Sequence, residues 1–211
     1  MPETQAHAAA ESTTHHVGDI DNTMYRQRQT ARQIAAGLDD LGRMVNDMLG
    51  FAAGAKPSEQ IVSVYELLTE VQIAIAPQLD GVTDLVLALD DYTLYLSGNK
   101  EALKGALLNL ATNAVQSCTG PSKIVLGATC CGRNVRLTVT DDGPGVAEHD
   151  FPRLFEPFFT TRPQGTGLGL AVVQAVAQAH GGTVSAQSHD AGTRFTIRLP
   201  GRAFYRGNRH D

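Results

Sequence analysis

Residues 141–170 read DDGPGVAEHDFPRLFEPFFTTRPQGTGLGL. The stretch begins where an alternating run ends: Val135, Leu137 and Val139 face one way, Arg136, Thr138 and Thr140 the other, so Asp141 closes a predicted strand. Gly143 and Gly145 follow, and glycine lets a flat ring come close to the backbone. A carboxylate at that place can accept a hydrogen bond from an exocyclic amine; the same five residues would also serve as a β-turn. The stretch closes on Gly165-Thr-Gly-Leu-Gly-Leu170, which runs into a helix reaching about His180. Backbone N–H groups at a helix start, with no Cβ in the way, form an anion site. No Gly-Lys-Ser/Thr follows, which excludes a Walker A loop, and no strand enters directly, which excludes a Rossmann turn. Between the two glycine clusters lies Phe151-Pro-Arg-Leu-Phe-Glu-Pro-Phe-Phe-Thr-Thr-Arg-Pro163. Aromatics, prolines and a basic residue in so long a loop suit a lid over a ligand, and suit a partner-binding surface equally.

Upstream, Glu101–Cys118 reads as a helix with Leu103, Ala106, Leu107, Leu110 and Ala114 on one side. Asn109 and Asn113, four apart, share another face. Two neutral carboxamide oxygens side by side suit a hard cation such as Mg²⁺ that also holds phosphate oxygens; two amides on a solvated helix face would look the same. Around this centre the elements alternate. Ser63-Val-Tyr-Glu66 is a capping box opening a helix to about Ile75. Strands are predicted at Asp84–Leu89 and Tyr92–Ser97, turning at Asp90-Asp91, and Lys123–Thr129 with Asn134–Thr140 forms a hairpin through Gly132. Thr183–Ser188 and Thr193–Leu199 close the fold as strands. The sum is an α+β layer, a mixed sheet with helices on one face, over residues 58–200.

The flanks read differently. Residues 1–23 carry Glu3, Glu11, Asp19 and Asp21 with no Lys or Arg, and are expected to be a disordered arm. Residues 24–54 are expected to form one long helix: Ile34, Leu38, Leu41, Val45 and Met48 step by 4, 3, 4, 3. About thirty helical residues would span roughly 45 Å and need a partner helix to cover the seam. Residues 201–211, with Arg202, Arg206 and Arg209, read as a flexible tail. The formal net charge of −5 argues against a nucleic-acid binder, which would carry a basic face. No run of apolar residues is long enough for a membrane-spanning helix. No secretory leader is recognisable, and Cys118, Cys130 and Cys131 form neither a disulfide framework nor a zinc pattern. A cytoplasmic setting is expected.

Taken in order, Asn-x3-Asn, Asp-x-Gly-x-Gly, Phe-Glu-Pro-Phe-Phe and Gly-Thr-Gly-Leu-Gly-Leu resemble the N, G1, F and G2 boxes of two-component sensor histidine kinases. That family shares the Bergerat ATP-binding fold with gyrase, Hsp90 and MutL, and the resemblance covers roughly residues 60–200. The Phe-Phe-Thr-Thr run and Ala179-His-Gly-Gly-Thr183 look most like the nitrogen-regulator type. Val45-Asn-Asp-Met-Leu-Gly-Phe-Ala52 resembles flagellar-regulator sensor kinases. The resemblance implies ATP and Mg²⁺ as cofactors. Asn113 would ligate Mg²⁺ with Asn109 in support, Asp141 would bind the adenine amine, and Gly143 and Gly145 would line the base pocket. Gly165, Thr166, Gly167, Leu168 and Gly169 would cradle the phosphates, with Thr193 near the adenine. Phe155, Phe158 and Phe159 would anchor the lid, and Arg162 would reach the γ-phosphate. In the ATP-hydrolysing cousins a glutamate stands at the place of Asn109 and activates water; an amide is a poor general base, so transfer to a protein side chain is expected rather than hydrolysis.

The pattern departs from the family at one place. The phosphoacceptor signature, a His followed by an acidic or polar residue with Pro near the sixth position, is absent. His15-His16 precedes Val-Gly-Asp-Ile-Asp without that Pro, and His7 fits no better. Residues 24–53 resemble the second dimerisation helix, without the first. The expectation is a kinase catalytic domain that phosphorylates a histidine outside this chain, for relay to a response regulator, with a homodimer or acceptor partner engaged through residues 24–53. The alternatives are a non-catalytic ATP-binding regulatory module and an anti-sigma-type serine kinase.

Overall fold

A computed structural model describes residues 60–162, 165–189, 192–201 and 203–205; the expected arm at 1–23 and long helix at 24–54 lie outside the described residues. The element order is β1 (Gln60–Ser63), α1 (Val64–Ile75), β2 (Thr83–Leu89), β3 (Leu94–Gly98), α2 (Lys100–Ser117), β4 (Ser122–Cys131), β5 (Asn134–Asp141), α3 (Gly169–Ala179), β6 (Thr183–His189), β7 (Gly192–Leu199) and β8 (Ala203–Tyr205). A short 3₁₀ segment, Glu148–Arg153, interrupts the loop between β5 and α3.

Local chemistry starts both long helices. The Ser63 side chain accepts a hydrogen bond from the Glu66 N–H at 3.3 Å, and Asn99 accepts one from the Ala102 N–H at 2.9 Å. Each helix then buries one stripe: Val64, Leu67, Leu68, Val71 and Ile75 in α1, and Leu103, Ala106, Leu107, Leu110, Ala111 and Ala114 in α2. Strands β2-β4-β5-β7-β6 form the main sheet. It is mixed because β2 lies parallel to β4 while the other pairs are antiparallel. The inner face of the sheet carries Ile124, Leu126, Val135, Leu137, Val139, Phe195, Ile197 and Leu199, all in the core with the helix stripes. The opposite face carries exposed Arg136, Arg194 and Arg198, the alternation of a sheet covered on one side.

Two expectations change. The strands on either side of Asp90-Asp91 do not pair with each other. Thr93 donates to the Asp91 carboxylate from both N–H and Oγ1 at 2.7 Å, which turns the chain out of the main sheet. β3 then joins β1 and β8 in a separate three-stranded sheet. The tail is not loose throughout either: Ala203–Tyr205 pairs with β3, and the Ala203 N–H donates to the Arg133 carbonyl at 2.8 Å. Strands of three or four residues are too short to show a periodicity, so nothing in the side-chain pattern announces β1 or β8.

His180 connects the elements that carry the site. It follows α3, is 2% exposed, and holds both ring nitrogens in hydrogen bonds. Nε2 accepts from the Asn99 N–H at 3.0 Å, so the ring proton sits on Nδ1, 2.8 Å from the Val176 carbonyl. The end of α3 is thereby fastened to the start of α2. Replacing His180 with Ala leaves the Asn99 N–H without a partner and opens a cavity. Urea denaturation is expected to show a loss of about 2–4 kcal/mol, against less than about 0.5 kcal/mol for Gln187→Ala on the exposed sheet face. Equal effects would remove His180 from this role.

Candidate functional site

Asp141 is the last residue of β5 and is 4% exposed. Its carboxylate accepts from the Gly143 N–H at 3.0 Å and from the backbone N–H of Thr193, its cross-strand neighbour on β7. Burial pushes the carboxyl above the usual aspartate range, and these two backbone donors only partly offset it. The approach of β7 is tight: a Cβ on Gly192, whose φ is 119°, would stand 1.8 Å from the Asp141 carbonyl oxygen. The loop that follows is tied to the sheet by the Val146 N–H, which donates to Ser188 Oγ at 2.8 Å. Thr193 is itself buried.

Asn109 and Asn113 stand half-buried on one rim of α2, and Ser117 continues the row one turn further on. An added Cβ on Gly169 would lie 3.7 Å from Asn109 Oδ1, so this carboxamide sits beside the first residue of α3. Among the described residues no side chain caps α3, so its first-turn N–H groups have no side-chain acceptor there. Near the other end of the row lies Arg162. Its Nη1 donates to Gln116 Oε1 at 2.5 Å and to Asn113 Oδ1 at 3.3 Å; its Nη2 donates to Ser117 Oγ at 2.7 Å and to the Asn113 carbonyl at 3.0 Å. Burial lowers the Arg162 pKa from its ordinary value, and the Asp141 charge opposes that shift. Ser117 also borders the base of the Asp141 loop, 3.5 Å from where a Gly143 Cβ would stand.

The expected lid residues divide. Phe155 packs against the core, and Phe159 lies under the Arg153 guanidinium at 4.4 Å. Phe158 differs from its expected anchoring role: its side chain is 70% exposed. Its backbone does the holding, at a φ of 68°, with the N–H donating to the Gly167 carbonyl at 2.8 Å. Gly167 makes that contact, because a Cβ there would stand 2.4 Å from the Phe158 carbonyl carbon. Gly165 and Thr166 are exposed, and Leu168 is the half-buried N-cap of α3.

The sequence-level candidates therefore gather along one line, from Thr193 and Asp141 through Gly143 and Ser117 to Asn113, with Asn109 beside Gly169. Ser117 and Gln116 were not singled out from sequence. The signal for Ser117 was present in the i, i+4, i+8 spacing from Asn109; Gln116 gave none. The donor set suits an adenine nucleotide: a buried carboxylate for an amine, and free helix N–H groups for phosphate oxygens. Among the described residues no cluster of His, Cys, Asp and Glu is arranged to hold a metal. The carboxamide oxygens of Asn109 and Asn113 are hard neutral donors of the kind Mg²⁺ accepts together with phosphate oxygens and water. Among the described residues no helix is long and apolar enough to cross a membrane.

Comparison with known proteins gives a consistent answer. Residues 98–203 match the model of the "Histidine kinase-, DNA gyrase B-, and HSP90-like ATPase" family. The sensor histidine kinase ZraS of Escherichia coli K12 is 32% identical over 174 residues, which is 82% of this chain and 37% of that protein. The chain thus spans well under half the length of such curated relatives. The catalytic domain of histidine kinase ThkA superposes with a TM-score of 0.64 at 27% identity, covering 68% of this chain and 96% of that one. Full-length ShkA in complex with AMPPNP gives a TM-score of 0.69 at 31% identity, covering 80% and 37%.

The contacts at Gly167 and Gly169 separate two outwardly equivalent substitutions. Gly167→Ala must push the Phe158 backbone away and is expected to lower the thermal midpoint by several degrees. Gly169→Ala meets ordinary van der Waals space in a helical position and is expected to leave the midpoint equal or higher. Thermal unfolding of both variants decides this, and equal destabilisation would contradict the packing described.

Proposed function

The chain belongs to the histidine kinase-, DNA gyrase B- and HSP90-like ATPase family, and from that premise we propose that it is the ATP- and Mg²⁺-dependent catalytic domain of a two-component histidine kinase. The γ-phosphate goes to a histidine supplied by an acceptor outside this chain, and from there to a response regulator. The observation that carries this reading is the line of Asp141, Asn113 and Asn109 running to the uncapped start of α3. Asp141 accepts from the adenine amine, with Gly143, Gly145 and Thr193 around the base. Gly165, Thr166, Gly167, Leu168 and Gly169 cradle the phosphates, with the N–H groups at the start of α3 facing phosphate oxygens and the Gly165 N–H turned back to the Arg162 carbonyl at 3.1 Å. Asn113, supported by Asn109, holds Mg²⁺, which when bound neutralises phosphate charge. Arg162 reaches the γ-phosphate once it leaves α2. Since no glutamate stands at position 109 to activate water, the residues of the site position and neutralise rather than hydrolyse.

The test is incubation of the chain and a histidine-containing acceptor domain with γ-labelled ATP and Mg²⁺. Acid-labile, alkali-stable label on the acceptor histidine is the expected result. ATP binding without label on any protein would favour the regulatory module suggested by the absent acceptor signature; acid-stable label on serine would favour an anti-sigma-type kinase. Calorimetry is expected to show no adenine-nucleotide binding by Asp141→Ala; normal binding would overturn the base-pocket assignment.

The raised Asp141 pKa carries a pH dependence. The ionised carboxylate is the stronger acceptor for the amine, and burial makes it protonate at a higher pH than an exposed aspartate. Nucleotide affinity is therefore expected to fall on acidification before ordinary aspartates titrate, and to level off at higher pH. In Asp141→Asn this limb should vanish from the affinity profile. Persistence of the same limb in that variant would assign it to another group.

A further inference from the structure

We infer that Gln116 and Ser117 are positioning residues that hold Arg162 on Asn113, so that the guanidinium and Mg²⁺ compete for one oxygen and binding of the metal–nucleotide releases Arg162 toward the phosphates. The inference rests on the nucleotide site proposed above and concerns how that site is occupied and emptied.

The geometry is specific. Arg162 is tied to the last turns of α2 by four hydrogen bonds, to Gln116 Oε1, Ser117 Oγ, Asn113 Oδ1 and the Asn113 carbonyl. Every one of these acceptors is neutral. Among the described residues Arg162 forms no salt bridge, although the exposed Arg153 has Glu156 at 3.2 Å. A half-buried guanidinium hydrogen-bonded only to neutral oxygens, with the Asp141 charge acting on it from beyond ion-pair distance, is not in its strongest environment; a phosphate adds an opposite charge at hydrogen-bond distance and a bidentate match to the guanidinium fork. Arg162 therefore has a better partner available wherever a phosphate comes within reach.

The second half of the exchange lies at Asn113. Its Oδ1 is the oxygen assigned to Mg²⁺, and it accepts from Arg162 Nη1. A guanidinium and a divalent cation on one neutral oxygen repel at contact distance, so the two occupancies exclude each other. Gln116 and Ser117 decide the balance, because they bond Arg162 at the shortest distances of the set, 2.5 and 2.7 Å, and neither is needed as a metal ligand. Latched molecules bind metal–nucleotide only after the latch opens, so apparent affinity is reduced by the latched fraction.

The experiment is calorimetric titration of the full chain with Mg²⁺·ATP and Mg²⁺·ADP, alongside thermal unfolding. The double variant Gln116→Ala, Ser117→Ala weakens the latch and is expected to bind Mg²⁺·ATP roughly three- to tenfold more tightly, the range set by the usual net worth of about one hydrogen bond. Gln116→Glu gives Arg162 a carboxylate, strengthens the latch, and is expected to bind Mg²⁺·ATP several-fold more weakly. Arg162→Ala should lose the preference for ATP over ADP. A purely structural role for these residues would move the thermal midpoint without this opposite pair of affinity changes. Wild-type binding with the same affinity in both Gln116 variants would overturn the latch while leaving the site intact. Absence of any nucleotide binding by the wild type would overturn the site and the latch together. The two Gln116 variants are read independently, so failure of one to fold leaves the other decisive.

Discussion

The close crossing of β5 and β7 at Asp141 is the constraint on which the site depends. Gly192 lies so near the Asp141 carbonyl that any side chain would displace one strand from the other. With the strands at that distance, the Thr193 N–H reaches the Asp141 carboxylate, and the Gly143 N–H completes its shell. The carboxylate is thereby oriented in a place that water barely reaches. Desolvation raises its pKa, which is the cost of keeping a hydrogen-bond acceptor aimed and dry; the two backbone donors hold that cost within bounds.

The remaining parts are brought to Asp141 by the packing of α2 and α3. The apolar stripe of α2 faces the sheet, so the row at positions 109, 113 and 117 must fall on the rim where the helix meets α3 and the long loop. α3 buries Val173 and Ala177, and its first residue comes to rest beside Asn109. His180 fastens the far end of α3 to the start of α2, so the two helices cannot slide independently. The loop is held at three points of different kinds: Phe155 against the core, the Phe158 backbone against Gly167, and Arg162 against the end of α2. The apolar and backbone contacts are fixed by shape. The arginine contact is polar, made by four hydrogen bonds to neutral oxygens.

Much of this was legible in the chain. The capping residue Ser63 needs only its own following turn, and the hairpin through Gly132 needs only its own two strands, so local spacing announces that helix start and the hairpin. The glycine clusters and the two asparagines show their chemistry for the same reason. The division into two sheets was not legible: Thr83–Leu89 and Leu94–Gly98 both alternate as strands do, and nothing within either says which neighbour it will choose. β1 and β8 pair through backbone groups that every residue possesses, so their side chains hold no record of the pairing.

The sequence by itself determined most of the kinds of element, the candidate residues whose chemistry suits an amine, a phosphate or a hard cation, and the family those motifs indicate. Each of these depends on residue type and on separations of a few positions, over which the geometry of a helix, strand or turn is nearly invariant. Only the tertiary structure decided which of those residues meet. Arg162 lies 49 positions from Asn113, and the contact between them exists because α2, the sheet and the loop pack in one arrangement. The same holds for Gly192 under Asp141 and for His180 beneath Asn99. Such contacts arise from the mutual fit of surfaces built from distant segments, and no local periodicity encodes them.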